Sequence, residues 1–416
     1  MVTIDKLKIN PNKKVIDDIK IQIIYIPLKS KLGYTFNPLV EVGTYVTIGT
    51  PLGKNDVCDL LLTSSVSGTV VGLTKKYISN GELVNCIVIE NDFKEKYNDK
   101  VGKKKDITKY SKDEFIYLLK KCGITGMSGN DFPTYLKYDT NEELKYLIIN
   151  GAECDAYTSA DSAIMYNNPE EILECIDAIM EIMHLSKAYI AINESNTLVI
   201  NKLLRYINTY PNIKIYSLID AYPNGYERYL VKEILSLEYH KTPREVKTIT
   251  ENVSTIYAIY EALKYHKPLS DRIVTIAGAG IKKPANYKVK IGTNFSEIIL
   301  KTEEYNKLKD PILIAGGLMM GKSIPNDELI ITKDLSCILI IENNEVKSNP
   351  CIKCGKCTEV CPSKLIPSMI IENPQDAKKL KVGRCIECGL CSYICPSKIE
   401  IRDKICKIKE EQNEKL

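Results

Sequence analysis

Apolar and polar positions alternate with period two through the first quarter of the chain. Residues 21–27 form a short apolar run. Residues 39–53 (LVEVGTYVTIGTPLG) alternate with glycines at turn positions, and 64–73 (SSVSGTVVGL) reads as a further strand pair. This predicts a β module over 21–93, after a polar arm at 1–20. From 111 the period lengthens. Ser111 and Glu114 make a capping box for an amphipathic helix to about Lys121, with Gly123 as its C-cap.

Between 144 and 240 short apolar runs alternate with helical segments. Residues 144–150, 188–193 and 213–219 read as strands. Asn168-Pro169-Glu170 opens a helix, with Asn as cap and Pro in the first helical position. Further helices follow at 197–209 and from Tyr226. A β-α-β-α-β order predicts a parallel sheet covered by helices. Residues 273–277, 287–291, 312–315 and 337–341 then return to strand patterning around one helix at 294–301. Linkers are expected at 94–112, near 241–250 and at 343–350.

Charge and composition narrow the function. The net charge is +4 over 416 residues, too small to suggest a nucleic-acid-binding protein. The longest apolar runs have strand length, far short of the roughly 18–20 residues of a membrane span. No apolar leader stands at the N-terminus, so a cytoplasmic chain is expected.

Fifteen cysteines change the picture more. Seven are scattered (58, 86, 122, 154, 175, 337 and 406) and read as small buried hydrophobes. Eight fall in two matching runs, Cys351-x2-Cys354-x2-Cys357-x3-Cys361-Pro362 and Cys385-x2-Cys388-x2-Cys391-x3-Cys395-Pro396. Three thiolates at three-residue spacing on a tight loop wrap one iron–sulfur cubane. The fourth, on the following turn, points to the other cubane. Cys351, Cys354, Cys357 and Cys395 are therefore assigned to one [4Fe-4S] cluster, and Cys385, Cys388, Cys391 and Cys361 to the second. A structural zinc site uses pairs of C-x2-C knuckles with a longer spacer, which these runs do not show. Two such clusters make an electron carrier.

Other segments carry weaker signals. Gly278-Ala279-Gly280 follows a strand, but Pro284 blocks the helix a dinucleotide fingerprint needs, so a turn is expected. Gly123–Lys137 holds three glycines within seven residues, letting main-chain N–H groups approach an anion that Lys137 reaches. Residues 150–155 (NGAECD) end the first parallel strand, where ligands of α/β folds bind. Residues 251–255 (ENVST) precede an apolar helix, and 316–321 (GGLMMG) follow a strand.

Residues 42–73 with their SSVSGTV, then GMSGNDFPTYLK (126–137), LIINGAECDAYTSAD (147–161), YPNGYERYLVKEI (222–234), ENVSTIYAIYEAL (251–263), the stretch 276–299, AGGLMMG (315–321) and both cysteine runs occur in a telling order. With them the chain resembles the C subunit of the Rnf complex, the ion-translocating ferredoxin:NAD oxidoreductase. That family is related to the flavin- and NADH-binding subunit of respiratory complex I.

The resemblance implies a multidomain α/β chain. Its expected parts are an arm (1–20), a barrel-sandwich module (21–93), an FMN- and NADH-binding α/β domain like the complex I 51-kDa subunit (106–245), a soluble-ligand-binding β-grasp domain (250–345), a two-cluster ferredoxin domain (346–405) and a tail (406–416). The first module is also similar to biotinyl and lipoyl carriers, without their modified lysine. The implied cofactors are FMN and NAD(H) beside the two clusters. Gly126, Gly129 and Lys137 would serve phosphate or nicotinamide, and Asn150, Glu153 and Asn252 the flavin or its ribityl chain. The implied partners are subunits of a membrane electron-transport complex and ferredoxin or a partner reductase, with the chain peripheral on the cytoplasmic face of the membrane. Proline-reductase-associated carriers resemble the same family, and under that alternative the chain only relays electrons.

Overall fold

The computed structural model describes residues 7–10, 12–17, 19–97, 101–102, 104–129, 131–343 and 347–412. Parts of the expected arm (1–6, 11, 18), linkers (98–100, 103, 344–346), glycine loop (Asn130) and tail (413–416) lie outside the described residues.

Two small antiparallel sheets build the first unit. One runs β1 (Ile23–Pro27), β7 (Leu83–Asn91), β6 (Gly68–Tyr77), β3 (Tyr45–Val46), and the other β2 (Asn37–Pro38), β4 (Pro51–Asn55), β5 (Leu60–Thr63). Alternation decides which side chains go inward: Ile24, Ile26, Val70, Ile87 and Ile89 share one core with Leu60 and Leu62. Residues 64–73 are not a strand pair. Glycine-led β6 is a single ten-residue strand, and its partner is β7, which the sequence pattern had not separated.

In α1 (Lys112–Lys121), Ser111 and Glu114 close the expected capping box. After the single turn α2 (Tyr135–Tyr138) comes a sheet of four parallel strands, ordered β10 (Ile213–Leu218), β9 (Lys187–Asn193), β8 (Tyr146–Gly151), β11 (Thr248–Asn252). Its helices are α3 (Ala160–Asn167), α4 (Pro169–Ile182), α5 (Thr197–Leu204), α6 (Glu227–Leu235) and α7 (Val253–Tyr265). Leu147, Ile148 and Ile149 are all fully buried because helices cover both faces of the sheet. Asn168 makes no cap bond; its amide donates back to the Ile164 carbonyl. β11 and α7 follow residue 245 yet belong to this sheet and its core.

A mixed sheet ordered β13 (Ala285–Lys290), β12 (Asp271–Ala277), β16 (Cys337–Glu342), β14 (Pro311–Ala315), β15 (Lys322–Ile324) follows, with α8 (Phe295–Thr302) between β13 and β14. β12 and β16 are parallel neighbours. The Gly278 carbonyl accepts from Ile281 N, closing the expected turn. The arm is a strap: Leu7 N donates to the Ala156 carbonyl, and Ile16 pairs beside β13.

The C-terminal unit holds α9 (Lys356–Glu359), α10 (Pro367–Glu372), α11 (Leu390–Tyr393) and α12 (Ile401–Glu411). Residues 406–411 of the expected tail thus continue helix α12, with Ile401, Ile405, Cys406 and Ile408 buried. Among the described residues no helix is long and apolar enough to cross a membrane.

Candidate cofactor sites

The four thiols assigned to the second cluster come together. Cys361, Cys385, Cys388 and Cys391 line one cavity with Pro362, Gly389, Leu390 and Ile405. Gly355 and Gly389 take left-handed φ of +76° and +81° at the starts of α9 and α11, so each loop turns sharply before its third cysteine. Main-chain N–H groups already point at sulfur: Lys353 N to Cys351, Glu387 N to Cys385 and Leu365 N to Cys361, each 3.4 Å. Such bonds favour thiolate and tune a cluster's potential. Cys357 and Cys395, the third and fourth members of the first set, share one core. Burial pushes the Cys391 thiol up to about 12 and neighbouring thiols add to the shift. Four thiols lining one cavity fit a metal cluster, whose positive irons would offset the cost of ionising them.

None of the scattered cysteines lines that cavity. Burial pushes Cys86, Cys122 and Cys406 up to about 12, and they stay neutral thiols in packed surroundings.

At the carboxyl ends of β8 and β11, Asn150, Glu153 and Asn252 gather as one network. Asn252 accepts from Ser254 N as the cap of α7 and donates to Asp161 at 2.6 Å. Glu153 takes the N–H groups of Asp161 (2.8 Å) and Ser162 (3.0 Å), so its carboxylate caps α3. Burial pushes Glu153 up to about 7; Lys8, which binds the Glu153 carbonyl from the arm, works against that and Asp161 adds to it. Asn150 donates to the Gly225 carbonyl at 2.7 Å. All three are held by protein groups that fix their orientation.

The glycine loop sits on α7 through a bond from Met127 N to the Thr255 hydroxyl, 3.0 Å. Gly126 spends its N–H on the Phe132 carbonyl, whereas Gly129, at φ +93°, lies near the surface. Lys137 stands apart on the outer edge of β11, bound to the Thr250 carbonyl (2.8 Å) and 3.2 Å from Glu251. There it borders a cavity of about 210 Å³ lined by Phe132, Glu227, Lys241, Arg244 and Thr250 among others. Three cations, an aromatic ring and threonine hydroxyls suit a planar, phosphorylated ligand such as FMN. Sequence reading missed Glu227, at the start of α6, and Lys241 and Arg244, because the loop between α6 and β11 that holds the latter two carries no local signal for the sheet edge it covers.

Beneath the loop lies a buried charge cluster drawn from three units. The Asp131 carboxylate turns inward, accepting from the Thr125 hydroxyl at 2.6 Å. Lys333 donates to the Gly123 carbonyl at 2.8 Å, and Arg272 to the carbonyls of Met127 and Lys333. Asp334 meets Ser79, Thr332 and Lys31. Burial, then Asp334, pushes Asp131 up to about 6. A carboxyl that binds its proton more tightly when folded favours the fold below its unfolded pKa, and that contribution is lost as pH rises through about 6. Asp131→Asn, which mimics the protonated acid, should therefore raise stability at pH 8 and leave it nearly unchanged at pH 4, as read from urea midpoints at the two pH values.

The α/β and C-terminal units meet around the second cysteine run. Tyr222 and Met319 are buried with Ile386, Cys388 and Leu390. The Tyr222 hydroxyl donates to the Cys388 carbonyl at 2.8 Å.

These parts have counterparts in known proteins. Residues 2–94 match the RnfC barrel sandwich hybrid domain, 119–261 the Nuo51 FMN-binding domain and 350–399 a 4Fe-4S dicluster domain. The chain is 30% identical to the C subunit of the proton-translocating ferredoxin:NAD(+) oxidoreductase complex of Clostridium ljungdahlii, over 83% of this chain and 77% of that one. It is 32% identical to the C subunit of the ion-translocating oxidoreductase complex of Haemophilus influenzae, covering 85% of this chain but only 56% of the relative. The corresponding C subunit of Rhodobacter capsulatus is 31% identical, with 83% and 68% covered. In fold it is similar to a chain of an NAD+-reducing [NiFe]-hydrogenase (TM-score 0.50, 13% identity, 74% of this chain and 61% of that one). The chain belongs to the family of C subunits of the ion-translocating ferredoxin:NAD oxidoreductases.

Proposed function

We propose that this chain is the electron-transfer subunit that joins NAD(H), through FMN, to two [4Fe-4S] clusters within a membrane-associated ion-translocating complex. One observation carries the reading: a single chain joins an α/β unit matching an FMN-binding domain to a dicluster unit, with Tyr222 bonded directly to the second cysteine run. Bound FMN exchanges the two electrons of a hydride for single electrons.

The chain's residues supply the setting. Lys137, Lys241 and Arg244 would face the phosphate side of the flavin cavity, with Phe132 on its wall. Gly126 and Gly129 shape the loop resting on α7. Asn150, Glu153 and Asn252 hold the carboxyl edge of the sheet rigid, the position family resemblance gives to the flavin. Cys351, Cys354, Cys357 and Cys395 would hold one cluster, and Cys361, Cys385, Cys388 and Cys391 the other.

The five-stranded sheet over β12–β16 is read as a β-grasp. Its order (second, first, fifth, third, fourth strand), its parallel central pair and its one helix after the second strand support that reading. Partner subunits would anchor the chain on the cytoplasmic face of the membrane and move the coupling ion, with ferredoxin as the other redox partner.

Anaerobically reconstituted protein is expected to show flavin absorption that NADH bleaches. Cluster absorption alone, with no response to NADH, would overturn the flavin half of the proposal and leave an iron–sulfur relay.

A further inference from the structure

The two cysteine runs repeat in backbone as well as in sequence. Lys353 and Glu387 both take φ +56°, and Lys364 and Lys398 take +52° and +53°. What covers the two runs differs completely. Ile386 is 5% exposed and its counterpart Ile352 is 66% exposed. A Cβ on Gly389 would sit 2.7 Å from the Met319 carbonyl oxygen, whereas one on Gly355 would meet nothing within 4 Å. Tyr222 and Met319 bury Cys388 and Leu390, and Arg402 fastens the contact through the Met320 carbonyl at 2.9 Å. Over the first run every residue from Cys351 to Lys356 is exposed.

The side chains differ in the same sense. Lys353 stands where the second run has Glu387, and Lys356 where it has Leu390. Exposed Lys347 precedes the run. Exposed Lys398 is brought alongside by the bond from Asn349 N to the Ser397 carbonyl, 2.9 Å. Glu359 is the acidic side chain exposed on the same helical turn.

We propose that the exposed face of the first cysteine run, with Ile352 at its centre and Lys347, Lys353, Lys356 and Lys398 around it, is the docking site for a small acidic redox protein. This rests on the electron-transfer reading above and names the partner's chemistry. The second run shows what such a loop accepts: a carbonyl against the glycine and apolar side chains over the isoleucine. The first run offers the same backbone to a partner outside the chain. A lone apolar residue ringed by cations gives little lasting affinity but steers an acidic surface into register, which suits a short-lived electron-transfer encounter.

The test uses the anaerobic, cluster-loaded chain and an acidic bacterial [4Fe-4S] ferredoxin as probe. Binding is measured by calorimetry at low and high salt for the wild type, Lys353→Glu/Lys356→Glu and Ile352→Ser. Glu387 already adopts the backbone geometry of position 353, so the charge reversal is compatible with the loop. Iron content and the electron paramagnetic resonance of both clusters, unchanged in the variants, verify that the site is intact. The expected result is wild-type binding that weakens with salt, and at least roughly ten-fold weaker binding by the charge-reversed variant. Absence of binding by the loaded wild type, or equal binding by wild type and the charge-reversed variant, overturns the docking site alone. A wild-type chain that cannot be loaded with clusters sinks the electron-transfer reading and this inference with it.

Discussion

Replacing Cys361 with Ala should erase the cluster assigned to Cys385, Cys388 and Cys391 and spare the one assigned to Cys351, Cys354 and Cys357. Cys361 belongs by sequence to the first run, but in space it lines the cavity of the second. The short helix α9 ends at Glu359, and the turn after it carries the Cys361 sulfur across, where Leu365 N points at it from 3.4 Å. Without this ligand one iron corner has no thiolate, and a cubane with an open corner loses iron or collapses. Iron per chain should fall from about eight to about four. One of the two reduced-state resonance signals should disappear. Cys395→Ala should remove the opposite signal, because the fourth cysteine of the second run is the one assigned to Cys351, Cys354 and Cys357. If Cys361→Ala instead silenced the first-run signal, the exchange of fourth ligands would be wrong, and each run would have to close on its own cysteines.

The proposed exchange can be read from the sequence because the pattern behind it is local. Spacing of three, then four, followed by proline, dictates loop and turn within a dozen residues. Three of the four strands of the parallel sheet, β8, β9 and β10, were legible for a similar reason: Leu147–Ile149, Ile190–Ile192 and Ile213 lie in short apolar runs between helical patterns. The edge strand β11 was not. Thr248, Thr250, Glu251 and Asn252 look like a polar linker, yet every one is buried. Thr250 is bonded to Glu227, Asn252 to Asp161 and Ser254, and Glu251 is ion-paired with Lys137, 114 residues away (251 − 137), while Thr248 bonds the nearby Val246 carbonyl. Helix α12 was hidden by its charge, since five Lys, Arg or Asp residues interrupt its apolar stripe before position 410, and only packing shows that Lys409 is buried over the Cys385 carbonyl. The site followed the same division. The proposed cysteine ligands announce themselves, and so does Lys137 once the glycine loop is noticed. The loop residues Lys241 and Arg244 reach the cavity only through the path of the chain between α6 and β11.

The hardest feature to foresee is the one whose loss should cost most in stability. Arg272→Met is expected to destabilise the protein by about 3–5 kcal/mol. Arg272 is 2% exposed, and the carboxylates of Asp334, Asp161 and Asp131 act on it electrostatically. Its guanidinium also supplies donors to the carbonyls of Met127 and Lys333, tying the glycine loop to the third unit. Burial pulls Arg272 down to about 10, but at neutral pH it is still charged. Burial likewise opposes the charge on Asp334, yet Lys31, Ser79, Thr332 and Arg272 together hold its pKa below the usual range. Methionine fills the volume and leaves that carboxylate short of a cation in a buried site. Adding Asp334→Asn to Arg272→Met should restore part of the loss, because removing both charges is cheaper than stranding one. Urea unfolding of the single and double variants measures both terms. Protease sensitivity near residues 123–131 should rise in the single variant, since the loop loses an anchor while α7 still holds Met127. An Arg272→Met protein within about 1 kcal/mol of wild type would mean that the buried charges are already balanced without it, and that the loop is held from α7 alone.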